Sequence, residues 1–350
     1  MRIAQLAPLF EAVPPHTYGG TERVVSYLTE ELVGAGHDVT LFASGDSVTM
    51  ARLTPGCQRA IRLDSSIRDP LAAHLKMIEE VCLRSRDFDI IHCHLDYWAF
   101  SALSRLPTPL VATLHGRLDL PELQPVYDCF RGVPLVSISD AQRRPLHQGH
   151  FVATVPHGLP EALLAPIDAD RRYLAFLGRI CPEKRPDLAI EIARRAGMPL
   201  KIAAKVDPVD VDYFESVIQP LLVGDDIDFV GEISEGEKSA FLSAASALLL
   251  PIDWPEPFGL VLIEAMACGT PVIAFNRGSI PEILENGVTG WIVEDVDDAV
   301  AATQRLRTFS AEAVRAEFDR RFTAGRMASD YVKVYRTLIQ TPRPGLRLVD

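Results

Sequence analysis

Nothing in this chain of 350 residues approaches the run of ~18 apolar residues that a membrane-spanning helix needs. Positive charge is also in short supply. The 35 Lys and Arg against 47 Asp and Glu leave a net charge of −12, so a nucleic-acid partner, which needs a basic surface to neutralise phosphates, is not expected. The six cysteines (57, 82, 93, 129, 181 and 268) form no C-x-x-C pair and read as reduced thiols. Met1 leads directly into Arg2-Ile3-Ala4-Gln5-Leu6-Ala7, which reads as a strand, so no cleavable leader is expected. These absences point to a soluble cytoplasmic protein, with peripheral contact to a membrane left open.

Short β-branched runs alternate with helical patterns from end to end, the signature of βα units and parallel sheets. The first series predicts strands near 2–7, 38–43, 89–94, 109–114, 134–137 and 152–155. Helices fall at 21–35 and at 70–84, the latter with apolar spacing at Leu71, Leu75, Ile78 and Cys82. A second series predicts strands near 173–178, 199–203, 227–230, 247–251, 271–274 and 290–293. Its helices are expected at 185–196, 210–221, 235–245, 259–268 and 297–306, with Ser234 and Glu237 as a capping box. Proline and glycine interrupt the pattern at Pro156-His157-Gly158-Leu159-Pro160. The fold expected is therefore α/β, two tandem Rossmann-like domains facing a cleft, with domains at 1–157 and 158–324. A helix at 325–340 would pack back toward the first, and 341–350 would form a tail.

The stretch Glu256-Pro257-Phe258-Gly259-Leu260-Val261-Leu262-Ile263-Glu264 places a polar loop just after an apolar strand and just before a helix. The free amides of a helix start favour an anion such as phosphate. Glu256 precedes that start and Glu264 lies on the second turn, so two carboxylates could bind hydroxyls along a ligand whose phosphate sits at the helix mouth. A pair of glutamates with seven residues between them is, by itself, most simply surface charge. The flanking residues decide otherwise: the stretch resembles the donor-binding E-x7-E segment of retaining glycosyltransferases of family 4, which have the GT-B fold.

Other elements carry the same resemblance. Gly178-Arg179-Ile180-Cys181-Pro182-Glu183-Lys184 is similar to the family's G-R-x-x-x-E-K element, whose arginine and lysine hold the donor diphosphate. Cations there would stabilise the charge that a leaving nucleoside diphosphate gains. His16-Thr17-Tyr18-Gly19-Gly20 resembles the family's glycine-rich loop against the diphosphate, with Gly19 and Gly20 letting backbone approach closely. Thr113-Leu114-His115-Gly116 resembles the T-x-H-G element, whose histidine faces the reacting sugar. Phe229-Val230-Gly231-Glu232 matches the stretch before the helix that closes over the nucleobase. Ser137-Ile138-Ser139-Asp140 and Val155-Pro156-His157-Gly158-Leu159 match weaker elements near the domain joint.

The resemblance implies a retaining transferase moving a sugar from a UDP- or GDP-type nucleotide sugar to an unidentified hydroxyl acceptor, with no cofactor and no metal. The catalytic set it implies is His115, Glu256, Arg179 and Lys184. Donor binding would use Gly19, Gly20, Arg179, Lys184, Gly231, Glu232, Glu256, Phe258, Gly259, Leu260 and Glu264. His92-Cys93-His94 is not expected to hold zinc, because a strand turns Cys93 away from the two histidines and no second ligand pair is evident. The alternative reading is a GT-B nucleotide-sugar-binding protein or epimerase without transferase activity. A nicotinamide dehydrogenase is disfavoured by the lack of G-x-G-x-x-G after the first strand.

Overall fold

The computed structural model describes residues 1–16 and 19–341; Thr17 and Tyr18 of the glycine-rich loop and residues 342–350 of the expected tail lie outside the described residues. The chain divides into two units, Met1–Gly158 together with Ala324 onward, and Leu159–Thr323. Each is built on one parallel sheet with helices.

In the first unit the strands are β1 (Arg2–Leu6), β2 (Asp38–Ser44), β3 (Arg52–Cys57), β4 (Ile90–Cys93), β5 (Leu110–Thr113), β6 (Leu135–Ser137) and β7 (Phe151–Thr154). Their order is β3-β2-β1-β4-β5-β6-β7. The winding reverses between β1 and β4, where a doubly wound sheet opens a crevice beyond its carboxyl ends. Val39–Ser44 of β2 and all of β4 and β5 are buried. That explains their continuous apolar runs, since helices cover both faces of a parallel sheet.

Two features depart from expectation. Strand β3 was not anticipated, because Pro55-Gly56 reads as a break; it forms because it is an edge strand paired only with β2, where a missing N–H can face away from the ladder. The helix Pro70–Leu83 does form, but it buries His74, Met77, Ile78 and Val81 while Leu71 and Leu75 are about half exposed. A polar contact turns it: the Leu9 N–H donates to His74 Nε2 at 3.0 Å and draws the imidazole inward.

The second unit holds β8 (Tyr173–Arg179), β9 (Leu200–Lys205), β10 (Ile227–Gly231), β11 (Ala245–Leu250), β12 (Val272–Phe275) and β13 (Gly290–Val293), ordered β10-β9-β8-β11-β12-β13. Its reversal lies between β8 and β11. Helix Glu235–Ser243 starts at the expected capping box, the Ser234 N–H donating to Glu237 at 2.8 Å. Residues 208–221 are not one helix but a series of short 3-10, α and π turns, in keeping with Pro208 and Pro220, which lack the N–H a regular helix needs. A helix at Ala311–Arg321 was not foreseen. It buries Val314 and Phe318, and its Arg315 guanidinium donates to the carbonyls of Leu164 and Ala267 at 2.8 Å and Glu161 at 3.0 Å.

The chain enters the second unit at Leu159 and leaves it at Thr323, and these two residues pair side by side. The final helix, Ala324–Gln340, groups with the first unit, packing against helix Gly20–Gly34 and burying Tyr331 and Tyr335. Arg326 fixes its start by donating to the carbonyls of Pro156 and His157. Arg321 donates to the Glu282 and Ile283 carbonyls. No helix among the described residues is long and apolar enough to cross a membrane.

Candidate functional site

In the second unit the loops after β8 and β11 meet at the point where the sheet's winding reverses. Asp253 N–H donates to the Glu183 carbonyl at 2.9 Å, joining the two backbones. The side chains join them again: Lys184 Nζ bonds the Glu256 carboxylate. Trp254 Nε1 donates to the same carboxylate at 3.1 Å, and its ring lies 5.3 Å from Lys184 Nζ. Glu256 is buried, 7% exposed, which removes the plain reading of a surface glutamate. Such a pair needs additional hydrogen bonds to offset desolvation, and the indole supplies one.

A third loop, after β12, clamps this one. Ser279 N–H donates to the Glu256 carbonyl at 2.9 Å and Ser279 Oγ to the Phe258 carbonyl at 2.9 Å. Gly278 has φ +54, and a Cβ there would stand 2.4 Å from the Glu256 backbone. Gly259 has φ +83 and precedes helix Leu260–Ala267, whose first amides have no acceptors within the helix. Glu264, on that helix, is also buried and pairs with Lys238 at 2.7 Å; Lys238 is itself buried and lies 3.2 Å from Glu235.

The other expected residues are less directly engaged. Arg179 ends β8 but is held 3.5 Å from both Asp207 and Asp210. Burial alone would push the Asp207 carboxyl up, yet Lys205 and Arg179 outweigh it and hold it below the usual range. Gly231, with φ +76, and exposed Glu232 end β10. Among the described residues no hydrogen bond or ion pair joins either of them to Lys184, Glu256 or Glu264.

In the first unit Gly19 caps helix Gly20–Gly34, and a Cβ on Gly19 would stand 2.8 Å from that of Pro15. His115 follows β5, and its loop is pinned from two sides. Gln142 donates to the carbonyls of Leu114 and Gly116, each at 2.8 Å, while its own oxygen accepts from Ile138 N–H. The Asp96 carboxyl accepts from the His115 backbone N–H; burial nevertheless raises that carboxyl to about 6. Asp96 itself sits at φ +49, a conformation a non-glycine residue rarely adopts. Burial lowers the His115 imidazole to about 3, so it is neutral at physiological pH. Its ring stacks on His157 at 5.3 Å.

Sequence reasoning missed Gln142, Asp96, Gly278, Trp254 and Lys238. Trp254, two residues before Glu256 in a proline-bearing loop, was the one with a local signal. The others act on site partners 19 or more residues away in the chain. Among the described residues no cluster of three His, Cys, Asp or Glu is placed to hold a metal ion.

Comparison with known proteins adds a family. A model of glycosyl transferases group 1 matches residues 165–323, and one of glycosyltransferase family 4 matches residues 18–184. A phosphatidyl-myo-inositol mannosyltransferase of Mycolicibacterium smegmatis is 27% identical over 328 residues, 85% of this chain and 82% of that one. A glycogen synthase of Mycobacterium tuberculosis is 26% identical and covers 96% of each chain. Among solved structures, sucrose-phosphate synthase of Thermosynechococcus elongatus superposes with a TM-score of 0.77 at 22% identity, covering 96% of this chain and 98% of that one. HepE of Anabaena in complex with UDP and glucose gives a TM-score of 0.73 at 17% identity, covering 96% and 99%. At these identities the solved structures establish fold alone.

Proposed function

This chain belongs to the glycosyltransferases of family 4, with the GT-B fold, and we propose that it moves a sugar from a nucleoside diphosphate sugar to a hydroxyl acceptor with retention of anomeric configuration. The second unit is the donor-binding domain and the first the acceptor side. The observation that carries this reading is the pairing of partly buried Lys184 with buried Glu256 at the winding reversal of the second sheet, directly before a helix start.

The lysine and the carboxylate satisfy each other. A donor exchanges that contact for two better-matched ones. Its diphosphate takes the Lys184 ammonium and the amides at Phe258–Leu260, while Glu256 accepts from sugar hydroxyls. Glu264, held by Lys238, takes the ribose diol. Arg179 moves from its two aspartates to the diphosphate, and Gly231 and Glu232 border the nucleobase. In the first unit Gly19 and Gly20 are assigned to the diphosphate and His115 to the reacting sugar as a neutral positioning group. As the glycosidic bond breaks, charge accumulates on the leaving diphosphate, and preorganised cations and amides lower that barrier most. The acceptor hydroxyl attacks on the face the diphosphate leaves. A UDP donor is the first to test, GDP the second, since HepE was crystallised with UDP.

The test pairs thermal shift against UDP, GDP and their sugars with analysis of the transferred sugar's anomeric configuration. Stabilisation by one nucleotide and a retained product are expected, and Lys184→Ala should lower kcat/KM by roughly 10²–10³-fold. A Lys184→Ala enzyme that transfers sugar at the normal rate overturns the reading.

A further inference from the structure

Beneath the carboxyl ends of β1, β4 and β5 lies a group of buried polar side chains, Gln5, His92, His94 and Thr113, joined by Tyr331 and Tyr335 from the last helix. The diphosphate and carboxylate chemistry above uses none of them. Each is hydrogen-bonded, and the bonds form one connected chain that ends at His115. His94 Nε2 lies 2.7 Å from Gln5 Oε1, and His94 Nδ1 lies 2.9 Å from His115 Nε2. On the other side Gln5 Nε2 lies 3.2 Å from the Tyr335 hydroxyl, which is 2.7 Å from His92 Nδ1. His92 Nε2 is 2.7 Å from Thr113 Oγ1, and Thr113 Oγ1 is 2.9 Å from the Tyr331 hydroxyl.

Burial holds both His92 and His94 far below their usual pKa, so each ring is neutral and carries one proton. The amide oxygen of Gln5 can only accept, so the proton of His94 is on Nε2. Its Nδ1 must then accept, which places the His115 proton on Nε2. The remaining nitrogen, His115 Nδ1, is buried, bare of hydrogen and without a hydrogen-bond partner among the described residues. In the opposite direction the Gln5 amide donates to Tyr335, Tyr335 donates to His92 Nδ1, His92 Nε2 donates to Thr113, and Thr113 donates to Tyr331.

Turning the Gln5 amide over would reverse every proton and make His115 Nδ1 a donor. The distances select the present orientation. A contact of 3.2 Å falls at the long end for N–H···O but beyond the usual range for O–H···O, which is what the turned amide would require of Tyr335. The 2.7 Å contact suits an imidazole N–H on an amide oxygen.

We propose that Gln5 and His94 are positioning residues that lock His115 as the Nε2–H tautomer, so that its Nδ1 lone pair accepts a hydrogen bond from a hydroxyl of the transferred sugar. The proposal rests on the transferase reading for the identity of that hydroxyl, but not for the tautomer. His115 then selects sugars that carry a hydroxyl at the contacted carbon over deoxy or O-methyl analogues. The last helix takes part in the selection through Tyr335, although it follows the donor domain in the chain.

The test begins with ring nitrogen NMR on the full chain labelled with ¹⁵N-histidine, His115 being assigned from a His115→Asn sample. A bare Nδ1 and a protonated Nε2 on His115, unchanged from pH 6 to 8, are expected; a protonated Nδ1 overturns the proposal. His94→Leu removes the acceptor and should lower kcat by about tenfold or more with donor affinity unchanged, the equivalent of one lost hydrogen bond in the transition state. His94→Asn, whose amide oxygen can stand where Nδ1 stood, should restore part of that loss. Tyr335→Phe deletes a single hydroxyl at the far end and serves if His94→Leu does not fold: a mixture of His115 tautomers is expected. A folded His94→Leu or Tyr335→Phe enzyme with the wild-type tautomer and kcat counts against the proposal. A wild-type chain that turns over no nucleotide sugar would instead count against the transferase reading, leaving the ring spectrum to judge the tautomer.

Discussion

The two units hold their functional loops by opposite means. In the second, the loops are fastened by ions: Lys184 to Glu256, Lys238 to Glu264, Arg179 to Asp207 and Asp210. In the first, the fastening is mainly neutral: Gln5 and Tyr335 meet imidazoles that burial keeps uncharged, and Gln142 donates to the carbonyls on either side of His115. The contrast fits the ligands proposed above. A charged diphosphate can displace one partner of an ion pair and leave the other satisfied, so charges arranged in pairs make an exchangeable site. A sugar hydroxyl offers only a neutral hydrogen bond, and a neutral network recognises it without a charge to desolvate.

The comparison breaks most visibly at Lys238. Replacing Lys238 with Met strands a buried Glu264 carboxylate and should cost about 3–5 kcal/mol in denaturant unfolding. The double change Lys238→Met with Glu264→Leu should recover much of that stability while donor affinity stays lost. Full recovery of both would mean the pair serves packing alone.

Acidification should act on the first unit instead. His92, His94, His115 and His157 all have folded pKa values below their ordinary 6.5, His115 at about 3, with burial the largest cause. The unfolded chain therefore binds protons the folded chain refuses. The stability these histidines contribute is complete above pH 6.5 and falls as pH drops below it, by on the order of 1 kcal/mol per histidine per pH unit. A melting temperature flat between pH 7 and 5 would contradict the buried neutral network, and His94→Asn should flatten the slope.

A smaller effect is expected from Gly278→Ala. A left-handed φ and a 2.4 Å approach to Glu256 leave no room for a methyl group. We expect roughly 2 kcal/mol of destabilisation and a raised donor KM, because the displaced backbone carries Glu256. Smallest is Trp254→Phe, which removes the indole N–H from Glu256 and weakens the ring's attraction for Lys184. Its expected cost is about 1 kcal/mol in donor affinity, read by titration calorimetry, with kcat little changed.

Much of the fold can be read from contiguous residues. Alternating strands and helices, the capping box at Ser234 and the polar loop of Glu256 between a strand and a helix all follow from patterns within a few residues. Strand β3 escaped because Pro55-Gly56 is forbidden in a central strand but allowed at an edge, and edge position belongs to the sheet, not the segment. The buried face of Pro70–Leu83 escaped because His74 is drawn inward by the backbone of Leu9, a partner 65 residues away. At the candidate site the anionic side chains were legible and their cations only in part: Lys184 stands in a recognisable element, whereas nothing near Lys238 marks it as the partner of Glu264.

By itself, then, the sequence determined the fold class and the places where chemistry could occur, since hydrophobic period, caps and glycine-bearing loops are properties of neighbouring residues. The tertiary structure alone decided which groups share a hydrogen bond. Sheet order β3-β2-β1-β4-β5-β6-β7 sets β1 beside β4, so Gln5 meets His94 across 89 residues, and the last helix returns to bring Tyr335 within reach of both Gln5 and His92. A tautomer depends on the far ends of such contacts, and only a folded chain supplies them.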